Sequence, residues 1–566
     1  MKMKFLKHIY LVVLVLFLST TGCESVLDET IISGVTAEYL NTPEGFIAGV
    51  NASYKPLRDY YGDEDGCEIS IFGTDEFTNG GHGGAHDVNQ YRAGLNAESN
   101  TFWDPWNKFY QAINACNAVI TRGPEVDLPQ EEKDAMIAEV RFLRAHYYFL
   151  LVRYFGPVTL TLEETTGVET EATRTPENEV YSAIIEDLNY AISMLPESQS
   201  EFGRATKWAA QHMLSMVYLT RAYTSFAESD DFNQAATLAI DIINSSDRAL
   251  LDDFLNVFNM ADANGNLSHT NEQNSEVIFS VQYSEDPLTN GEGNRNHLYF
   301  RPWYEVYNNG LDRALGHGYG RPWIRFRPTQ WAMDNFRPLN VDSRFEKTFQ
   351  TVWLYNTDRD IPEGAQVGDT AIWINTNDLT QQEVDAITNR LPGVALFGLH
   401  SNDIDEPWSW SLPDNINIFP SPVKVDDNLR PSLNYTNGSR DHIVYRLAET
   451  YLIAAEALLG RDGDGSAAVP YINAVRRRAA YEGMEAAMEV TASDITLDFI
   501  LDERSRELYA EQKRWLDLTR TGKLLDRVKA FNPDAAPNIQ EFHTLRPIPA
   551  NQLIRTSNDY GQNPGY

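Results

Sequence analysis

Apolar side chains recur at helical spacing over both ends of the chain, three or four residues apart on one face. This periodicity predicts helices over residues 43–60, 103–117, 135–155, 177–195, 206–226 and 232–244, and again over 445–459, 467–480 and 494–521. The long apolar segment at 135–155 is followed directly by Gly156 and Pro157, which end helices. Both terminal parts of the chain are therefore predicted to be helical.

The pattern changes between residues 246 and 440, where helical periodicity fades and Gly, Pro and Asn interrupt short runs. The run 276–281 is rich in β-branched and aromatic residues and predicts a short strand. Seven of the eleven tryptophans lie in this region: Trp303, Trp323, Trp331, Trp353, Trp373, Trp408 and Trp410. Aromatic loops placed on a helical scaffold are typical of a binding protein.

Successive antiparallel helix pairs predict a mainly α fold, a tetratricopeptide-like scaffold of about four pairs with a large irregular insertion that contains short strands. No strict 34-residue repeat is visible in the sequence. The predicted division is a signal segment (1–22), an acidic tether (23–40), an N-terminal scaffold (41–245), the aromatic loop region (246–440) and C-terminal helices with a tail (441–566).

The first residues have the pattern of an export signal. Lys2, Lys4 and Lys7 precede an apolar run at 9–18, which is too short to span a bilayer, since a spanning helix needs roughly twenty apolar residues. The run ends in Leu-Ser-Thr-Thr-Gly-Cys, which resembles a bacterial lipobox and predicts an acylated Cys23. The alternative is an ordinary signal peptide that happens to end near a cysteine.

The formal net charge of −35 argues against nucleic acid as a partner, because phosphate binding needs clustered cations. It also argues against adhesion to anionic lipid through a basic face. Cys67 and Cys116 could pair in an oxidising compartment, but the helical pattern around Cys116 favours a buried free thiol.

No motif for a catalytic nucleophile, zinc or a nucleotide phosphate is present. His82 and His86 are four residues apart, but the glycines between and before them disfavour the helix that such a metal pair requires. Near the C-terminus, carboxylates and arginines alternate at helical spacing, which favours structural ion pairs over acid–base chemistry. These charged residues are Glu503, Arg504, Glu507, Glu511, Arg514 and Asp517. Trp106, Trp331 and Trp515 are likewise predicted to be core residues.

Several segments together resemble the SusD/RagB family of outer-membrane nutrient-binding lipoproteins. They span the mature chain in the family's order: AEVRFLRAHYYF at 138–149, YFGPV at 154–158, Trp323 to Arg344, YRLAETYLIAAEA at 445–457, INAVRRRA at 472–479, ILDER at 500–504, RWLDLTR at 514–520, LRPIP at 545–549 and QNPGY at 562–566.

The resemblance implies a non-catalytic protein without cofactor or metal, lipid-anchored to the outer membrane of a Gram-negative bacterium and facing outward. It implies a SusC-like TonB-dependent transporter as partner, on which the protein acts as a hinged lid, with two such units paired. It implies an oligosaccharide ligand for nutrient uptake, with peptide cargo as the alternative. A surface glycosidase and an adhesin are the rival functions.

A carbohydrate site needs aromatic rings for the C–H faces of sugars and polar side chains for their hydroxyls. Two segments combine these residue types, and the family resemblance places binding groups in the same neighbourhoods. The candidates are Asp75, Asn79, Asn89, Tyr91 and Arg92 in the first segment, and Trp303, Tyr304, Tyr319, Arg321 and Trp323 in the second. For each aromatic side chain the alternative is a place in the core.

Overall fold

The computed structural model describes residues 39–260, 266–316, 318–376, 379–398 and 416–566. The signal segment, Cys23, most of the acidic tether, Trp408 and Trp410 lie outside these ranges. Helices make up most of the regular structure in the described part, and the strands are few and short. The mainly α prediction is confirmed.

The helices are α1 (Pro43–Tyr61), α2 (Glu64–Ile71), α3 (His86–Gln90), α4 (Asn100–Arg122), α5 (Gln130–Phe155), α6 (Glu177–Met194), α7 (Lys207–Arg221), α8 (Asp231–Ser245), α9 (Pro287–Asn290), α10 (Asn296–Tyr299), α11 (Gln330–Asp334), α12 (Arg344–Thr348), α13 (Gln381–Arg390), α14 (Leu447–Asp462), α15 (Val469–Ala479), α16 (Glu485–Met488), α17 (Leu497–Leu508), α18 (Arg514–Arg520), α19 (Leu524–Phe531) and α20 (Ala550–Arg555).

The long helices pack in pairs: α1 with α4, α5 with α6, α7 with α8, and α14 with α15. Neighbouring pairs also touch, because α4 packs on α5, α6 on α7, and α8 on α14. The C-terminal helices therefore complete a stack that the N-terminal helices begin, although some 200 residues separate α8 from α14. This arrangement is the tetratricopeptide-like scaffold of four pairs.

Local signals fix where the scaffold helices begin and end. The Thr42 and Thr206 hydroxyls accept backbone N–H groups of the first turns of α1 and α7, which satisfies otherwise unpaired donors. Helix α5 ends at Gly156, whose φ of +70° suits glycine. Helix α5 is buried on almost all sides, which explains why apolar residues occupy most positions after Ile137 and why buried Arg144 is paired with Asp187.

The strands are β1 (Phe77–Asn79), β2 (Val277–Val281), β3 (Phe326–Pro328), β4 (Phe349–Gln350), β5 (Val352–Leu354), β6 (Thr370–Asn375), β7 (Ala395–Gly398), β8 (Ser421–Pro422) and β9 (His442–Arg446). They form two-stranded antiparallel pairs β1–β3, β2–β9 and β4–β8, and a three-stranded sheet β5-β6-β7 in which β6 and β7 are parallel.

Two predicted helices need correction. The helix predicted from residue 445 begins at Leu447, because 442–446 is strand β9 and the Leu447 N–H donates to the Glu276 carbonyl at 2.8 Å. The helix predicted over 494–521 is broken into α17 and α18 at 509–513, where Ala510 and Gln512 have positive φ. The break turns Glu511 inward to bond Arg446 at 2.9 Å.

The two cysteines of the described chain are free and buried, so they do not pair. Cys67 donates to the Asn296 side chain at 3.1 Å, and burial raises the pKa of the Cys116 thiol to about 12. The expectation of a buried thiol at Cys116 is confirmed. Burial of both thiols disfavours the thiolate and therefore their reaction.

The charged C-terminal residues form a buried network of ion pairs, as predicted. Arg446 contacts Glu276 at 2.9 Å and Glu507 at 2.7 Å, and Arg344 contacts Glu503 at 2.8 Å. Trp106 and Trp515 are fully buried, and half-buried Trp331 stacks on Phe531 with ring centroids 5.2 Å apart. The carboxylates of α17 therefore link the scaffold to the insertion instead of facing a cleft.

Removal of one partner from a buried pair tests this assignment. Arg514→Met removes the bidentate partner of Asp75 and leaves its carboxylate paired with Arg527, so we expect a loss of about 3 kcal/mol in the free energy of unfolding, the low end for a broken buried pair. Lys55→Met breaks an exposed pair with Asp59 and should cost about 0–1 kcal/mol. Urea unfolding measures both variants, and equal losses would contradict a structural role for the buried pair.

Candidate functional site

The two segments that the sequence singled out lie side by side in the structure. Strand β1 pairs with β3 antiparallel, Phe77 opposite Pro328 and Asn79 opposite Phe326. Beyond the strands, the Gly80 N–H donates to the Arg325 carbonyl at 2.8 Å and the His82 N–H to the Ile324 carbonyl at 3.3 Å. The glycine-rich loop 80–86 is thereby placed against residues 323–325.

Two separate aromatic contacts lie where these segments join. The rings of His82 and Trp303 have centroids 5.2 Å apart, and the Trp323 ring is 5.6 Å from that of Tyr299. His82 is exposed, and both tryptophans are half-buried, so each ring keeps surface open to solvent. We call His82, Trp303 and Trp323 the aromatic cluster. Half-buried indoles are suited to stacking against an apolar ligand face.

Arg325 holds the cluster together from one side. Its guanidinium lies 5.6 Å from the centre of the Trp323 ring, donates to the His82 carbonyl at 2.7 Å and pairs with Glu64 at 2.6 Å. Ile324, between Trp323 and Arg325, has a φ of +55°, which is strained for a β-branched residue. Such strain persists only where the surroundings impose it, and it is commonly found at functional sites.

Glu68 supports loop 80–86 from below. Its carboxylate accepts the Ala85 N–H at 2.7 Å and the Thr101 hydroxyl at 2.8 Å, which ties the loop to helices α2 and α4. Burial, followed by the nearby charge of Glu64, raises the pKa of Glu68 to about 7. The loop therefore rests on a carboxyl group that is substantially protonated near neutral pH.

Asp75, predicted as a ligand-binding residue, is a core residue instead. It has no exposed surface, and its two oxygens accept the Arg514 guanidinium at 2.7 Å each. Burial would raise the pKa of Asp75, but the charges of Arg514 and Arg527 outweigh burial and lower it. A carboxylate so fully engaged is not available to a ligand at the surface.

Asn79, Asn89 and Tyr91 are also buried and hold the first segment in shape. The Asn89 amide donates to Asn79 Oδ1 at 2.8 Å and accepts the Gly73 N–H at 3.0 Å, and the Tyr91 hydroxyl donates to the Gly73 carbonyl at 2.6 Å. The polar residue types that suggested sugar contacts here satisfy buried backbone groups.

Tyr304 is fully buried, stacks on Trp353 at 6.3 Å and donates its hydroxyl to the Gly320 carbonyl at 2.8 Å, so it too is structural. Tyr319 is half-buried against Tyr304, with its hydroxyl bonded to the Leu354 carbonyl at 2.8 Å. Arg321 is half-buried and Arg92 is exposed. Of the ten predicted residues, five retain accessible side chains: Arg92, Trp303, Tyr319, Arg321 and Trp323.

His82 and Arg325 were not among the ten predicted residues, although His82 lies in the loop that the sequence singled out. The signal for Arg325 was its place two residues after Trp323 and directly before strand β3. Its interaction with loop 80–86 joins positions about 240 apart, which no local pattern reveals.

Sequence profiles match two parts of the chain. The profile of the SusD family matches residues 275–566, which is more than half of the chain. The chain belongs to the SusD family. A second profile, described as starch-binding associating with outer membrane, matches residues 58–219. The resemblance that the sequence motifs indicated is confirmed.

One relative of this SusD family member is SusD-like protein P2 of Formosa agariphila, which is 27% identical over 577 aligned positions covering 98% of both chains. A solved SusD homologue from Bacteroides thetaiotaomicron superposes with a TM-score of 0.71 at 20% identity, over 95% of this chain and 100% of the other. Surface glycan-binding protein A of the same species, in complex with laminarihexaose, gives 0.65 at 21% identity, over 92% and 99%. These structures share the fold.

Within the described ranges, no helix of this SusD family member is long and apolar enough to cross a membrane. The same residues contain no group of three or more His, Cys, Asp and Glu side chains arranged to hold a metal ion.

The raised pKa of Glu68 predicts that the free energy of unfolding depends on pH. Its folded pKa of about 7 lies above the unfolded value of about 4.3, so the folded state binds the proton more tightly. The stability from protonated Glu68 is complete below pH ~4.3 and is lost as pH rises to about 7. Between pH 5 and 8, wild type should therefore lose on the order of 2 kcal/mol more than Glu68→Gln in its free energy of unfolding. Urea unfolding at several pH values measures this difference, and parallel pH curves would contradict it.

Proposed function

We propose that this SusD family member is a non-catalytic surface lipoprotein that captures an extracellular oligosaccharide at the aromatic cluster and delivers it to a TonB-dependent outer-membrane transporter. The observation that carries the proposal is that His82 contacts Trp303 and that Arg325 links His82 to Trp323, which brings partly accessible rings from distant segments into one neighbourhood.

The cluster has the chemistry that a pyranose requires. The partly accessible indoles of Trp303 and Trp323 can stack on the C–H faces of sugar rings, and burial of about 100 Å² of apolar surface contributes about 2.5 kcal/mol. Arg92, which is exposed, and Arg321, which is half-buried, are proposed to bind hydroxyls and set specificity. Arg325 positions Trp323 and the loop and does not need to touch the ligand.

The relatives support an oligosaccharide as the ligand class. A solved neighbour of the same fold is a laminarin-binding SusD-like protein, and another binds laminarihexaose. A peptide would also stack on the cluster, but no described feature favours it over a sugar.

A non-catalytic role is supported by the state of the buried carboxylates. A glycosidase needs two carboxyl groups facing each other across a cleft, roughly 5–10 Å apart. The conspicuous carboxylates of α17, Glu503 and Glu507, are fully buried in ion pairs with arginines. Glu64 and Glu68, which lie beneath the cluster, are engaged with Arg325, Ala85 and Thr101.

Anchorage and delivery complete the proposal. The lipobox-like sequence ending at Cys23 supports attachment to the outer membrane by acyl chains, each buried CH₂ contributing about 0.8 kcal/mol. The acidic segment that follows would give slack for a lid to swing on its transporter. Co-purification with a large β-barrel from detergent extracts tests the partnership with the transporter. If the protein is an adhesin, it should purify without a β-barrel.

Loss of both indoles tests the site. Trp303→Ala combined with Trp323→Ala should weaken oligosaccharide binding about 10–100-fold, because stacking area disappears. Tyr304 is not substituted, because it is buried and its loss would destabilise the protein. Titration calorimetry with laminarihexaose and maltohexaose provides the measurement.

Trp373→Ala, which removes another half-buried tryptophan from the same insertion, is the matched control and should leave affinity unchanged. The site assignment fails if the double variant remains folded, as judged by its urea midpoint, and binds as well as wild type.

Removal of the acylated cysteine tests the anchor. Cys23→Ala should leave oligosaccharide binding by the purified protein intact and lower uptake by cells, because the protein is released from the membrane. Cell fractionation and uptake of a labelled oligosaccharide measure the two effects. Normal uptake with a membrane-bound variant would mean that contacts with the transporter alone hold the protein in place.

A further inference from the structure

A second cleft lies on the scaffold, between helix α4 and the segment that follows α5. It has a volume of about 410 Å³ and is lined by Asn107, Tyr110, Gln111, Asn114, Thr161 and Thr165, together with Ile113 and Asn117. We call it the α4 groove. It shares no residue with the aromatic cluster, and its volume falls in the range of ligand pockets, roughly 300–1,000 Å³.

The groove has a rigid floor, because α4 is firmly held on its other side. Trp106, Phe109 and Cys116 on that side are buried in the core. Asn107, Gln111 and Asn114 follow one another at intervals of four and three residues, so they lie along one face of the helix. The groove therefore presents a row of amides along about two turns of α4.

The opposite wall is fixed by hydrogen bonds. The Thr165 N–H donates to Asn114 Oδ1 at 2.8 Å, and the Asn117 amide donates to the Thr161 carbonyl at 2.9 Å. The Tyr110 hydroxyl donates to the Thr159 carbonyl at 3.0 Å. Because these bonds satisfy the backbone of the wall, the groove is organised before any ligand arrives.

Other polar groups of the groove are not engaged. Within the described part of the chain, the Asn107 and Gln111 amides and the Thr161 and Thr165 side-chain hydroxyls make no hydrogen bond. Amides offer donors and acceptors together, and hydroxyls can serve as either. Paired donors and acceptors on two facing walls match the hydroxyls of a sugar.

The residues that line the groove are all uncharged, in a protein of formal net charge −35. An anionic ligand would find no cation there, and an apolar one would cover the amides without bonding them. We propose that the α4 groove is a second binding site for a neutral oligosaccharide, separate from the aromatic cluster. The choice of carbohydrate probes rests on the proposed function.

Two sites on one rigid scaffold have a consequence for long glycans. A polysaccharide that reaches both is retained more strongly than a short oligosaccharide, because the second contact is intramolecular. Each site alone can then bind weakly enough to release its cargo.

The test uses the cluster-disabled background, Trp303→Ala with Trp323→Ala, titrated with laminarihexaose and maltohexaose at millimolar concentration. We expect residual binding on this background. Addition of Asn107→Ala and Gln111→Ala should lower that residual association constant at least five-fold, because the free amides are lost. Gln382→Ala with Asn389→Ala, which removes two exposed amides from α13, is the matched control and should change nothing.

If the cluster-disabled background shows no residual binding, or if the groove substitutions do not change it, the groove is not a glycan site. Either result leaves the assignment of the aromatic cluster standing. Failure of the wild-type protein to bind either hexasaccharide contradicts the proposed function as well as the groove. Saturation-transfer NMR of the ligand gives an independent measurement. Equal signals from the cluster-disabled variant and from the same variant with Asn107→Ala and Gln111→Ala would contradict the proposal.

Discussion

The buried ion pair between Asp75 and Arg514 is the interaction on which the candidate site depends. It joins residues that are 439 positions apart, and both carboxylate oxygens are bonded at 2.7 Å. Asp75 directly precedes Glu76 and strand β1, so Arg514 on α18 sets the position of that strand. Strand β1 in turn pairs with β3, which places loop 80–86 against Trp323 and Arg325.

A charged pair is a costly way to fix a position, because both ions lose their hydration. What it supplies is directional geometry, since a guanidinium and a carboxylate accept each other in one planar arrangement. The Glu507–Arg446–Glu276 contacts act in the same way between α17, β9 and the residue before β2. The charged residues near the C-terminus therefore connect the scaffold to the irregular insertion through buried ion pairs.

Most of the fold could be predicted because several long helices carry a clear 3.6-residue pattern of apolar positions, as in α4 and α8. The errors arose where tertiary contacts override local pattern. Residues 442–446 form a strand because β2 is available to pair with them, and 509–513 leave the helix to turn Glu511 toward Arg446.

The sequence predicts which segments lie close to the aromatic cluster, but it does not predict which individual residues are accessible there. Trp303 and Trp323 are half-buried and keep some exposure, but Asp75, Asn89, Tyr91 and Tyr304, which are also residue types that bind sugars, are buried. Composition cannot separate a polar residue that binds a ligand from one that satisfies a buried backbone group. That distinction depends on contacts such as Asn89 with Gly73, which form only when the chain is folded.

The central claim is that ligand binds where loop 80–86 meets residues 303 and 323. A crystal structure of residues 24–566 with a bound oligosaccharide measures this directly. We expect sugar rings stacked on the indoles of Trp303 and Trp323, with loop 80–86 in contact and the Asp75–Arg514 pair intact. Sugar bound elsewhere while both indoles remain open to solvent would contradict it.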